Sequence, residues 1–205
     1  MTARADEAYG QKGLTFLDRA GVWLSQRAIS RHLPKRANLR VLELGCGYRA
    51  TQLVAMAPYL EAGVGVDFRL APELAGLEKF AFHQGTIEET LPKLTAESFD
   101  VVMLISVLEH LRDPLLVIES CLGLLKPAGV LLINVPTWLG KGFLEFSAFR
   151  LGWSSKTEME DHKMYYDKRD LWPLLVRAGF KPSSIHLHYH KFRLNLFAVA
   201  RREDV

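Results

Sequence analysis

Four residues in the first third of the chain have the types and spacing to hold a ligand: Glu43, Gly45, Gly47 and Asp67. They fall in Val41-Leu-Glu-Leu-Gly-Cys-Gly-Tyr-Arg-Ala50 and in Gly63-Val-Gly-Val-Asp67. Glycines placed just after a short apolar run let a ligand approach backbone that a side chain would cover. An acid about 20 residues further on is placed to take the hydroxyls of a ribose. Two histidines have the chemistry to move a proton, because an unperturbed imidazole titrates at about 6.5. His110 follows the apolar run Phe99-Asp-Val-Val-Met-Leu-Ile-Ser106, and His162 lies in Glu160-Asp-His-Lys-Met-Tyr-Tyr166.

The elements that must position these residues alternate. Apolar residues from Leu14 to Leu33 recur at helical spacing and stop at Pro34. Val41–Leu44, Gly63–Asp67, Lys79–His83, Phe99–Ser106 and Gly129–Val135 read as strands. Between them, Thr51–Ala57 reads as a helix. A second opens at Asp113-Pro114, an N-cap and first-turn pair, and is stopped by Lys126-Pro127. Short apolar strands alternating with helices predict an α/β fold with a mostly parallel sheet covered on both faces. Residues 136–166 break that rhythm with Trp138, Phe143, Phe146, Phe149, Trp153, Tyr165 and Tyr166, and read as a lid or substrate segment. Asp167–Ala178 reads as a helix with Gly179 as its C-cap, and strands at about 183–190 and 192–200 follow as a hairpin. The whole chain reads as one domain, 1–205, with 1–36 as a helical N-terminal segment.

His186, His188 and His190 alternate on that first hairpin strand and share one face. A polar face is the expectation, and no metal site is assigned, since one strand rarely supplies a full ligand set. Cys46 reads as a small residue between two glycines, and Cys121 as a core residue on a helix.

Gly45-Cys-Gly-Tyr-Arg-Ala50 also satisfies the dinucleotide fingerprint, so the glycines and Asp67 alone leave a nicotinamide dinucleotide and S-adenosylmethionine both open. Three further features resemble the class I S-adenosylmethionine-dependent methyltransferases, type 11 subgroup. Glu43 stands two residues before Gly45, as in that family's first motif, where the acid fixes the loop and faces the ammonium group. His83-Gln-Gly-Thr-Ile87 and Phe99 to His110 resemble the middle of the subgroup. Leu124-Leu-Lys-Pro-Ala-Gly-Val-Leu-Leu-Ile-Asn-Val-Pro136 resembles its run through strand five. The likeness spans residues 39–136 and continues more loosely through Asp170–Phe180.

The resemblance implies a Rossmann-like, seven-stranded sheet in the order 3-2-1-4-5-7-6 with a terminal antiparallel hairpin. It implies that Glu43, Gly45, Cys46, Gly47 and Tyr48 meet the methionine end of the cofactor. Asp67 and Phe68 fall at the ribose position, Thr86 and Ile87 at adenine, and Ser106 and Val107 along the methionine. Arg49 replaces a common third glycine and is expected to face outward or approach the cofactor carboxylate. A base is needed only for an acceptor that must lose a proton, and His110 and His162 are the candidates. The implied acceptor is a small molecule methylated at O or N. Two other readings share these residues: a nicotinamide-dependent oxidoreductase, and a methyltransferase-like binding subunit without activity.

Composition narrows the classes. Of 205 residues, 49% are hydrophobic and 24% charged, the balance of a chain with a full core. No apolar run reaches the roughly 18–20 residues that span a bilayer. Met1-Thr-Ala-Arg-Ala-Asp-Glu carries no apolar core behind its charges and does not read as a secretory signal. Two cysteines make no disulfide framework, which points to the cytoplasm. A net charge of +3 without a dense basic run gives no nucleic-acid surface. The motifs of short-chain dehydrogenases, phosphate-loop enzymes, paired-cysteine zinc sites and serine hydrolases are absent.

Overall fold

The computed structural model describes residues 16–96, 98–146 and 163–203, together with Gln11 and Gly13. Seven strands form one sheet: β1 (Leu39–Leu44), β2 (Leu60–Asp67), β3 (Phe80–Gln84), β4 (Phe99–Ile105), β5 (Leu125–Pro136), β6 (Ile185–His190) and β7 (Asn195–Arg201). Their spatial order is β3-β2-β1-β4-β5-β7-β6, as the family resemblance implies. All neighbouring pairs from β3 to β5 are parallel, while β7 runs antiparallel to both β5 and β6. The helices are α1 (Phe16–His32), α2 (Thr51–Ala55), α3 (Ile87–Thr90), α4 (Pro114–Leu124), α5 (Trp138–Phe146) and α6 (Lys168–Arg177).

The burial pattern explains the layering. Every residue of β1 except Arg40 is buried, and six of the seven in β4 are. Strands buried on both faces need cover on both sides. Successive side chains of β4 divide accordingly: Val102 and Leu104 join one apolar cluster with Ile118, Cys121, Leu171 and Leu175. Val101 and Met103 join the other with Ala28, Ile29, Leu53 and Met56. So α4 and α6 cover one face and α1 and α2 the other.

Local chemistry sets the ends. Asp113 caps α4 by accepting from the Leu116 N–H at 3.2 Å, with Pro114 in the first turn. Gly179, at φ +103°, closes α6. At the opposite edge of the sheet from the strand ends, Asp100 accepts from the Arg40 N–H at 2.7 Å and pairs with Lys126 at 3.1 Å and with Arg36. Several boundaries differ from the sequence reading: β2 begins at Leu60, α2 ends at Ala55 and β7 begins at Asn195. β5 begins at Leu125, four residues before Gly129, because Leu125 pairs with Phe99 ahead of a register shift. Residues 136–166 are not loop throughout: α5 occupies Trp138–Phe146, and 147–162, with Phe149, Trp153 and His162, lie outside the described residues.

Among the described residues, no helix is long and apolar enough to cross a membrane.

Candidate active site at the carboxyl edge of the sheet

The glycine loop leaves β1 and crosses to β2. The N–H groups of Gly45 and Cys46 both donate to the Val66 carbonyl, at 2.8 and 3.1 Å. Gly47 then donates to Asp67 Oδ2 at 2.8 Å. Both glycines have positive φ, +71° and +75°. Gly45 has a second reason to lack a side chain: a Cβ there would lie 2.4 Å from Val107 Cγ2. Val107 comes from the turn after β4, so the loop after β1 and the turn after β4 meet over one bare stretch of backbone. That bare backbone, with the Asp67 carboxylate beside it at the end of β2, fits an amino-acid-bearing nucleoside.

Glu43 works from below. It is buried, and its Oε2 accepts from the Leu53 N–H at 3.1 Å, which caps α2 from the neighbouring strand. Burial pushes its carboxyl up to about 8. The Leu53 bond ties β1 to the first turn of α2 rather than to the loop itself. Cys46 is buried, and burial pushes its thiol far above the usual range. It behaves as the small residue between glycines that the sequence suggests.

Other positions need correction or refinement. Arg49 is exposed, so it faces outward. The turn the missing third glycine would make falls instead to Ala50, buried at φ +46°. Thr86 is the N-cap of α3. Its Oγ1 accepts from Glu89 N at 3.2 Å, and Glu89 Oε2 accepts from Thr86 N at 3.3 Å. Its hydroxyl oxygen is therefore engaged in a capping box. The Ile87 side chain is buried in the apolar cluster under α3. Tyr48 and Phe68 are half-buried beside the loop and Asp67. Ser106, exposed at φ +58°, donates its N–H to the Asn134 carbonyl at 2.8 Å, which ties the end of β4 to β5.

The second half of the edge is built from distant segments. A short 3₁₀ turn, Leu108–His110, follows Val107. The Lys163 N–H donates to the Glu109 carbonyl at 2.8 Å, and the Lys163 ammonium reaches the His110 carbonyl. The Tyr166 N–H bonds the Pro136 carbonyl at 3.1 Å, and its hydroxyl bonds the Leu108 carbonyl at 3.5 Å. The start of α5 is stapled to the β6–β7 turn: Thr137 Oγ1 donates to the Arg193 carbonyl at 2.8 Å and Thr137 N to the Leu194 carbonyl at 3.0 Å. A Cβ on Gly140 would stand 2.2 Å from that Leu194 oxygen, so only glycine permits this approach. Trp138 packs near Tyr165 at 5.6 Å between ring centres, with the Lys141 ammonium 5.7 Å from each ring.

The structure brings His110 to this edge, half-buried, next to a residue that the sequence reading passed over. Glu109 is buried, its Oε2 has no hydrogen-bond partner, and burial pushes its carboxyl up to about 8. Lys191 at the β6–β7 turn was also passed over. It sits at φ +48°, and burial brings its ammonium down to about 8. Asn134 Oδ1 is a third buried polar atom without a partner here. The available signal was a lone charge beside an apolar run, and an amide inside one. The three-histidine face divides differently. His188 and His190 pack around Phe197, at 5.3 and 6.0 Å between ring centres, and His32 of α1 joins them, while His186 is exposed. Among the described residues no group of side chains has the arrangement to hold a metal ion.

Comparison with known proteins fits this geometry. A family model described as a methyltransferase domain matches residues 18–185. The ubiquinone biosynthesis O-methyltransferase of Histophilus somni is 41% identical over 105 residues, 46% of this chain and 44% of that protein. The protein of the same name from Dinoroseobacter shibae is 32% identical over 155 residues, 70% of this chain and 60% of that one. The chain thus spans about half the length of these curated relatives. A S-adenosylmethionine-dependent methyltransferase structure from Archaeoglobus fulgidus superposes with a TM-score of 0.68 at 16% identity, covering 93% of this chain and 96% of that one. The cyclase SpnF superposes nearly as well, with a TM-score of 0.67 at 14% identity, covering 96% and 84%. The fold is therefore shared across chemistries. The family model over residues 18–185, in accord with the motif order from Glu43 to Asn134, decides against the dinucleotide: the chain belongs to the class I S-adenosylmethionine-dependent methyltransferases.

Proposed function

We propose that this chain transfers a methyl group from S-adenosylmethionine to a hydroxyl oxygen of a small organic acceptor. The observation that carries the reading is the side-chain-free backbone at Gly45, pressed by Val107 and flanked by the Asp67 carboxylate. O-methyl transfer to a small molecule is supported by the names of the matching relatives.

When bound, the cofactor supplies an electrophilic methyl on a sulfonium, open to in-line displacement. The protein's own task is then to bind and to align. Gly45, Cys46, Gly47 and Tyr48 receive the methionine end, with Ser106 and Val107 across from them. Asp67 takes the ribose hydroxyls and Phe68 stands beside it, with Thr86 and Ile87 on the adenine side. The wall formed by Trp138, Tyr165 and Lys141 bounds the acceptor, which gives residues 136–166 their role within a single catalytic domain. His110 is positioned to handle the acceptor proton, and His162 stands as a second candidate. Two free buried cysteines fit a reducing, cytoplasmic setting.

Calorimetric titration with S-adenosylhomocysteine, with NADH and NADPH as controls, tests the reading. Micromolar binding of S-adenosylhomocysteine alone is expected. Preference for a nicotinamide, or no binding of S-adenosylhomocysteine, would overturn it.

A further inference from the structure

Among the described residues, the most exposed large apolar side chain stands at the tip of the β6–β7 turn: Phe192 is 91% exposed. Leaving a phenyl ring in water forgoes the stabilisation that burial would give it. The turn that presents the ring is also strained. Lys191, Phe192 and Arg193 sit at φ +48°, +57° and +69°, three successive left-handed residues with no glycine among them. Each is a backbone conformation that a side chain disfavours. Packing holds the turn in it. Thr137 Oγ1 and N donate to the Arg193 and Leu194 carbonyls, and Gly140 lets α5 close on the Leu194 oxygen. At that exposure the ring adds almost nothing to the core, so the contact it is held ready for lies outside the chain.

The clasp brings the start of α5 against this turn, and Trp138 and Leu139 there are exposed as well. Cations accompany these apolar groups. The Lys141 ammonium lies 5.7 Å from the centre of the Trp138 ring, and Arg193 and Lys168 stand over the Tyr189 ring at 4.8 and 5.2 Å. Asp170, close to Lys168 in sequence, is taken up by the start of α6, where it accepts from the Asp167 N–H at 2.8 Å. A projecting apolar tip flanked by cations selects among partners. A second copy of the same surface would set like charges against one another. A nucleic acid would take the cations and leave Leu139 in water. An anionic lipid surface takes both, because headgroup phosphates receive Lys and Arg while aromatic and aliphatic side chains enter the acyl boundary beneath.

We propose that the β6–β7 turn and the start of α5 form a docking surface for an anionic lipid bilayer. Phe192 and Leu139 enter the interface, and Lys141, Lys168 and Arg193 lie at the headgroups. Pro136 pairs with Asn195, which places this surface at the carboxyl edge of the sheet, beside the acceptor side of the candidate site. The proposal stands apart from the methyl-transfer reading and does not depend on it.

Co-sedimentation of the full chain with phosphatidylcholine vesicles, with and without phosphatidylglycerol, tests it. Binding to vesicles containing phosphatidylglycerol is expected to exceed binding to phosphatidylcholine alone by about tenfold or more. Phe192→Ser should weaken that binding by about tenfold. Its melting temperature should not fall, since the ring is exposed. Arg193→Glu should weaken binding by a similar factor. Lys93→Glu, the same charge reversal on the segment leading into β4, should change it by less than about twofold. Full-strength binding of Phe192→Ser, or equal losses from Arg193→Glu and Lys93→Glu, would overturn the proposal. So would failure of the unaltered chain to bind either vesicle. In that case self-association that Phe192→Ser abolishes, read by sedimentation velocity without lipid, would assign the surface to a second copy instead.

Discussion

The two halves of the sheet's carboxyl edge are built on opposite terms. On the β1–β2 half most polar groups have partners: Gly47 N bonds Asp67, Leu53 N bonds Glu43, and Thr86 and Glu89 cap each other, while Gln52 Oε1 on α2 is buried without one. On the β4–β5–β7 half, Glu109 Oε2, Asn134 Oδ1 and His190 Nε2 are buried without partners. Buried polar atoms are ordinarily satisfied, so an accumulation on one side marks where a ligand completes the bonding. The first half is preorganised by the protein's own hydrogen bonds and suits a ligand common to a whole family. The second suits a ligand particular to this chain.

The sharpest way to break that contrast is Gly45→Val. Its β-branched side chain would meet Val107 at a position with φ +71°. We expect S-adenosylhomocysteine binding to fall by about a hundredfold or more, with about 1–3 kcal/mol of stability lost to strain. Pairing it with Val107→Ala should restore part of the stability but little of the binding, because the loop itself stays occupied. Calorimetry and denaturant unfolding read the two effects separately.

Asp67→Ala comes next. It removes the partner of Gly47 N and the carboxylate proposed to take the ribose hydroxyls, and about a tenfold or greater loss of S-adenosylhomocysteine affinity is expected. Unchanged affinity would place the ribose elsewhere.

Glu43→Gln probes whether the satisfied half carries a hidden pH dependence. The folded Glu43 holds its proton up to about 8, whereas an unfolded glutamate releases it near 4.5. Between those values the native state binds more protons than the unfolded state, so stability falls as pH rises. Glutamine can still accept from Leu53 N and does not titrate. Its stability advantage over the unaltered protein should therefore grow from pH 5 to about 8, by at most about 1.4 kcal/mol per pH unit, and level off above. An advantage independent of pH would show that Glu43 stays ionised in the fold.

Thr86→Ala has the smallest expected effect. Loss of the capping box costs about 1 kcal/mol, with S-adenosylhomocysteine binding nearly unchanged. A large loss of binding would show that the hydroxyl serves the ligand as well as the helix.

Much of the frame was legible because it is periodic or punctuated. Of the five parallel strands, β1 and β3 are followed directly by Gly and β5 ends on Pro136, and Asp113-Pro114 and Gly179 mark helix ends by local chemistry. The loop residues could be read for the same reason: a positive φ at Gly45 and Gly47 selects glycine whatever surrounds it. Arg49 misled only in part, since the turn passed to Ala50. Thr86 was assigned to adenine through the family likeness, while the structure shows it as the N-cap of α3 in a capping box. The burial of Glu109 beside His110 was not legible because the sequence shows residue type and not solvation. A histidine looks reactive by its ordinary pKa, while a glutamate becomes comparable only when burial raises it.

The sequence by itself determined the strand-by-strand rhythm, the bare loop after β1 and the acid after β2, because each depends on conformational preferences and spacing within a few residues. The order of the strands was reached only through family likeness. Tertiary structure alone decided that Val107 presses on Gly45, that Thr137 and Gly140 clasp the β6–β7 turn, and that Lys163 and Tyr166 bond the turn after β4. Such pairings depend on how the chain closes on itself, and no local preference encodes the distance between segments so far apart.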